Sequence, residues 1–88
     1  MDKARWNPLK SYLLKQKYGV SFEDVISGIF VDEIQHPNRD NQKILIFEYN
    51  DYLWSVPFVI EESGIFLKTI YPSRKLMKKY KGANNEEI

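Results

Sequence analysis

The chain reads as one α+β domain: two N-terminal helices, a four-stranded, mainly antiparallel sheet and a C-terminal helix. Three observations predict it. Phe22, Val25, Ile26 and Ile29 fall at i, i+3, i+4 and i+7, the spacing of a buried helix face. Two apolar runs, 43–49 and 52–60, flank Asn50-Asp51, a pair suited to a two-residue hairpin turn. After Pro72-Ser73, Leu76, Met77 and Tyr80 share one arc of a helical wheel and lysines occupy the other.

Each element has a local reason. Asn7-Pro8 opens the first helix, because Asn caps free amides and Pro at the first helical position loses no hydrogen bond. Leu9, Tyr12, Leu13 and Gln16 line its expected inward side to Tyr18, and Gly19 supplies the left-handed stop. Ser21 to Asp24 form a capping box for the second helix. Residues 30–34 predict an edge strand and 36–42 a loop. Residues 43–49 are apolar on both faces, as in a central strand. Pro57 cannot donate to a ladder, so the next strand carries a bulge or faces a sheet edge there. Glu61 to Gly64 turn the chain into a fourth strand, 65–71, and Ser73 caps the last helix. Residues 1–82 form the domain and 83–88 a polar tail.

With 88 residues there is room for one core, and a chain this short buries only about 60 to 65% of its unfolded surface. Two Trp, six Tyr and five Phe supply the packing. There is no cysteine, which excludes disulfides, thiolate zinc sites, cysteine nucleophiles and redox pairs. No apolar run reaches the roughly 18 to 20 residues of a membrane span, and no hydrophobic segment like that of a signal peptide follows the start, so a cytoplasmic protein without a membrane partner is expected. A single histidine and scattered carboxylates make no metal-ligand set, and no glycine-rich phosphate loop or nucleophile elbow occurs. Neither metal nor cofactor is expected.

The near-zero net charge of +1 hides a segregation. In residues 1–20, five cations stand against Asp2. In residues 21–63, nine acids stand against Arg39 and Lys43, and in residues 64–88 six cations stand against Glu86 and Glu87. Should the fold join the two basic ends, one side of the domain becomes a cationic surface for a polyanion.

Candidate functional residues follow from that surface. Lys68 is the one cation in a strand of Ile, Phe, Leu, Thr and Tyr; it either snorkels at an edge or meets an anion on the face of Phe66 and Ile70. Tyr71, Arg74, Lys75, Lys78, Lys79 and Lys81 come next, and cations interleaved with tyrosines suit RNA, where charge neutralises phosphates and an aromatic face stacks on an unpaired base. The lysines would otherwise be a solvated helix face, and Arg74 would pair with an acid of the central segment. His36 is either a general acid or base, or a solvated loop residue that shapes the turn with Pro37 and Asn38.

Ala4-Arg5-Trp6-Asn7-Pro8, the run Lys17-Tyr18-Gly19-Val20-Ser21-Phe22-Glu23-Asp24, and Pro72-Ser73-Arg74-Lys75 with the basic helix to Tyr80 together resemble the BrnT family of bacterial toxins, within the RelE/ParE-like superfamily. The resemblance spans about residues 5 to 81. Two departures are the loop from His36 to Asn41, which lacks the glycine many members carry, and the last strand, in which members often carry an arginine and this chain offers Lys68. The resemblance implies a RelE-like fold and the toxin of a type II toxin-antitoxin system, a metal-independent endoribonuclease that inhibits translation in the cytoplasm. Its partners would be RNA and a DNA-binding antitoxin of the ribbon-helix-helix kind, through which it would oligomerise. Arg74 and Lys68 would stabilise charge on the phosphate, Tyr71 or His36 would transfer protons, and Lys75, Lys78, Lys79 and Lys81 would bind the RNA backbone. A protein of the same fold that binds RNA or antitoxin without catalysis is the alternative.

Overall fold

The computed structural model describes residues 4–79, which run β1 (Ala4–Arg5), α1 (Pro8–Tyr18), α2 (Phe22–Ile26), β2 (Ile29–Gln35), β3 (Lys43–Tyr49), β4 (Tyr52–Glu61), β5 (Gly64–Leu67), β6 (Tyr71–Pro72) and α3 (Arg74–Met77). The α+β class and the element types match the expectation. The sheet does not: it has six strands rather than four, in the order β1-β5-β4-β3-β2, with β6 also on β4. All pairings are antiparallel except that of β1 with β5, so the sheet is mixed.

Both changes in strand count have local causes. β1 is two residues long, too short for any periodicity to reveal. The expected strand 65–71 is interrupted: Leu67 pairs with Phe58 and Tyr71 with Ser55, leaving Lys68, Thr69 and Ile70 opposite only Val56 and Pro57. This one-residue excess is a bulge, and Pro57 sits against it. Its carbonyl accepts the Lys68 N–H at 2.8 Å, so its N–H-less nitrogen faces the break and no ladder bond is lost.

One sheet face packs Leu45, Phe47, Trp54, Val56 and Phe58 against Leu14, Val20, Phe22 and Val25 of the N-terminal helical region. The other packs Ile44, Ile46 and Leu53 against Leu76, with Met77 half-buried beside them. Leu53 ties α3 down by its backbone: its carbonyl accepts the Ser73 N–H at 3.2 Å and its N–H donates to Met77 Sδ at 3.3 Å. Tyr80 and Lys81, assigned from sequence to the same helix, lie outside the described residues, as does the tail.

The caps form as expected. Asn7 Oδ1 accepts from Leu9 and Lys10, Gly19 closes α1 at φ 79°, and Ser21 with Asp24 forms the reciprocal box. Asn50 and Asp51 hold φ values of 55° and 61°, a type I′ turn matched to sheet twist. Two expectations about the helices are overturned. Leu9, Tyr12 and Leu13 of α1 are 65%, 60% and 52% exposed, and the inward side is Ser11, Leu14 and half-buried Tyr18. In α2 only Phe22 and Val25 are fully buried, because the helix ends at Ile26 and Ile29 already belongs to β2. The chain passes close to the sheet just after the helix: a Cβ at Gly28 would collide with the Glu48 carbonyl oxygen of β3.

Candidate functional site

The sheet register brings two distant segments together. Lys43 opens β3 opposite Phe58, and Phe58 stands opposite Leu67, so the loop 36–42 and Lys68 share one end of the sheet. A cleft opens there, lined by His36, Arg39, Gln42, Lys68, Thr69 and Tyr71, with Pro57 at its floor. Three of the four expected catalytic residues, His36, Lys68 and Tyr71, therefore line one cleft although 35 positions separate the first from the last. Arg74, on α3, is exposed and is not part of this lining.

The loop is held shut by its own polar groups. Gln35 Nε2 donates to the carbonyls of Asp40 at 3.1 Å and Gln42 at 3.0 Å, and reaches that of Arg39 at 3.5 Å. His36 N–H donates to the Gln42 carbonyl and Gln42 N–H to that of Arg39. The imidazole is part of the same turn, since its Nδ1 accepts the Asn38 N–H at 3.1 Å. That bond uses the Nδ1 lone pair, so the neutral ring carries its proton on Nε2 and offers a donor there. The turn-shaping reading of His36 is the one the geometry supports.

Charge at the cleft is one-sided. The described ion pairs are Arg5 with Glu61, Lys15 with Asp24 and Lys43 with Glu33. None involves Arg39, Lys68, Arg74, Lys75 or Lys78, so the pairing of Arg74 with a central acid does not form. The Lys68 Nζ lies 5.8 Å above the Phe66 ring, and the side chain is exposed. Arg39 is the site residue that sequence reasoning missed. It was hidden in a loop recognised by composition alone, and only the pairing of β3 with β4 and of β4 with β5 sets it beside Lys68.

A second hollow adjoins the cleft across Tyr71, which lines both. Its walls include Ile34, Pro37, Ile44 and Leu76, its rim includes Lys75 and Lys79, and Ser55 lies within it. Lys75, Lys78 and Lys79 are exposed, as expected, and Lys81 lies outside the described residues. Elsewhere, a hollow lined by Ile26, Phe30, Leu45 and Phe47 with Glu33 is apolar and holds none of the candidate residues. Among the described residues no cluster of His, Asp or Glu could hold a metal ion, and no helix is long and apolar enough to cross a membrane. No protein-family model, no curated protein and no solved structure matches this chain.

Proposed function

We propose that this domain binds single-stranded RNA at the cleft between the 36–42 loop and Lys68, and cleaves it there without a metal, as a toxin of the BrnT kind would. The single observation behind this reading is the meeting of Arg39 and Lys68, two cations without a described carboxylate partner, with Tyr71 and a hydrogen-bonding His36 in one cleft. In such a cleavage the RNA 2′-hydroxyl gives up its proton to water and its oxygen bonds to the adjacent phosphorus as the bond to the 5′-oxygen breaks. The 5′-oxygen leaves with a proton from water, and in between negative charge grows on the phosphoryl oxygens. Fixed cations and donors lower that barrier, each typically by about 2.7 to 4 kcal/mol. Arg39 and Lys68 carry the charge in this scheme, while Nε2–H of His36 and the Tyr71 hydroxyl supply donors. Lys75, Lys78 and Lys79 extend the track for the backbone. The reading also implies a DNA-binding antitoxin as partner.

One observation favours the non-catalytic alternative. With Nδ1 engaged by Asn38, His36 presents no lone pair at Nε2 to take the 2′-hydroxyl proton. Incubating the protein with labelled single-stranded RNA in a chelator separates the two. Fragments ending in 2′,3′-cyclic phosphate, lost in Lys68→Gln, are the expected result. Intact RNA that is nevertheless bound tightly would make the domain a binder, and RNA neither bound nor cut would end the proposal.

A further inference from the structure

Tyr71 is shared by two hollows of opposite character. On one side lies the cationic cleft, and on the other the apolar-walled hollow of Ile34, Pro37 and Ile44 with Lys75 at its rim. The second hollow contains an oddity. Ser55 is 2% exposed in the middle of β4, on the face where its neighbours pack as core, and its hydroxyl makes no hydrogen bond with any described group. The hydroxyl oxygen is nevertheless not sealed off from solvent, because among the described residues no side-chain polar atom is both fully buried and unpartnered. A valine or isoleucine would satisfy the sheet better at that position. A buried serine that lines a hollow and keeps its hydroxyl unspent is a polar contact waiting for a ligand.

From this arrangement we infer that the hollow is a base-binding subsite, in which the nucleobase next to the bound phosphate stacks on Tyr71 and hydrogen-bonds to Ser55. The inference rests on the phosphate reading of the cleft. The chemistry of the ligand follows from the lining: a flat, largely apolar group with a polar edge, attached to an anion held across Tyr71. An unpaired nucleotide has those three properties. A phosphate alone would have no use for the apolar walls, and an aliphatic ligand none for the serine. Ser55 pairs directly with Tyr71 in the sheet, so the hydrogen-bonding group and the stacking ring keep a fixed relation.

Calorimetric titration with inorganic phosphate and with adenosine and uridine 3′-monophosphates tests this. Either nucleotide should bind more tightly than phosphate by about tenfold or more, the scale of one stacked base. Ser55→Ala, which removes only the hydroxyl, should lower nucleotide affinity and leave phosphate affinity unchanged, whereas Lys68→Gln should weaken both. In backbone amide spectra of the unaltered protein, Ser55 should shift with nucleotide and not with phosphate, a readout that holds even if the alanine variant folds poorly. Equal affinities for nucleotide and phosphate, or an unmoved Ser55 amide, would overturn the base subsite while the phosphate cleft stands. Failure of both ligands to bind would overturn the cleft and the subsite with it.

Discussion

The hydroxyl of Ser11 on α1 makes two bonds to α2: it donates to Glu23 Oε1 at 2.7 Å and accepts the buried Phe22 N–H at 3.1 Å. Ser11 is 4% exposed and Phe22 is buried, so the Phe22 amide cannot turn to water at low cost, whereas the exposed Glu23 carboxylate can. Ser11→Ala should therefore destabilise the domain by about 1 to 3 kcal/mol, the cost of leaving a buried amide unsatisfied. Urea denaturation measures this, and a change within about 0.5 kcal/mol would show that the amide finds another acceptor.

The same serine contributes to the acid limb of stability. Its hydroxyl is the main cause holding the Glu23 carboxyl below its ordinary value of 4.5, with help from Glu23's own backbone amide and from the Ser21 and Trp6 side chains. Beside it, the Lys15 ammonium holds Asp24 below 3.8, and the pair correspondingly raises Lys15 above 10.5. For both carboxyls the unfolded chain binds more protons than the folded one, so their contribution is present above the ordinary values and is lost as pH falls through the lower folded ones. Melting temperature should decline below about pH 4.5, and Ser11→Ala should flatten that decline. A variant with an unaltered acid limb would remove Ser11 as its cause.

The outward turn of α1 separates spacing from burial. Leu9, Tyr12 and Leu13 replaced together by Gln should leave stability within about 0.5 kcal/mol per site, because all three are more than half exposed. Leu14→Ala, by contrast, should cost about 2 to 5 kcal/mol, since Leu14 is 5% exposed in the main core. Thermal melts of the two proteins give opposite outcomes, and equal losses would contradict the assigned helix phase.

That case also shows where sequence stops being informative. Caps and turns were legible because their chemistry is local: Asn7, Gly19, Ser21, Asn50-Asp51 and Ser73 each act within four residues. The central strands were legible because apolar residues on both faces leave them nowhere to go but the middle. The phase of α1 was not legible, because its inward position is held by a polar residue whose partners lie on the next helix. Nor was the strand break at Lys68, which depends on where Pro57 falls in the neighbouring strand. The cleft itself was half legible. His36, Lys68 and Tyr71 could be singled out by residue type, but Arg39 joins them only through pairings made across the sheet.

Gly28 offers a backbone test of how α2 meets the sheet. A methyl group there would run into the Glu48 carbonyl oxygen, which cannot move without disturbing the pairing of Ile29 with Glu48. Gly28→Ala should cost about 1 to 3 kcal/mol through overpacking. Gly19→Ala provides the contrast, because open space surrounds that position and its cost comes from φ alone. Denaturation midpoints of the two variants, with a repacked β2 in the Gly28 variant visible as shifted amides of Ile29 and Phe30, would establish the collision; unshifted amides and full stability would refute it.

The cations differ in how close they stand to the cleft. Affinity for single-stranded RNA should fall with salt, with a log-log slope of about −0.7 for each phosphate neutralised. Arg39 and Lys68 line the cleft and lack described acidic partners, so Arg39→Gln and Lys68→Gln should each flatten the slope by about 0.7. Lys75→Gln, at the rim of the adjoining hollow, should act in the same direction. Arg74 is exposed on α3 outside the cleft, so Arg74→Ala should leave cleavage and phosphate affinity within about twofold of the parent while the melt stays unchanged. Should Arg74→Ala instead abolish binding or cleavage with its fold intact, the anion site lies on α3, and the cleft beside His36 and Lys68 is not where the phosphate sits.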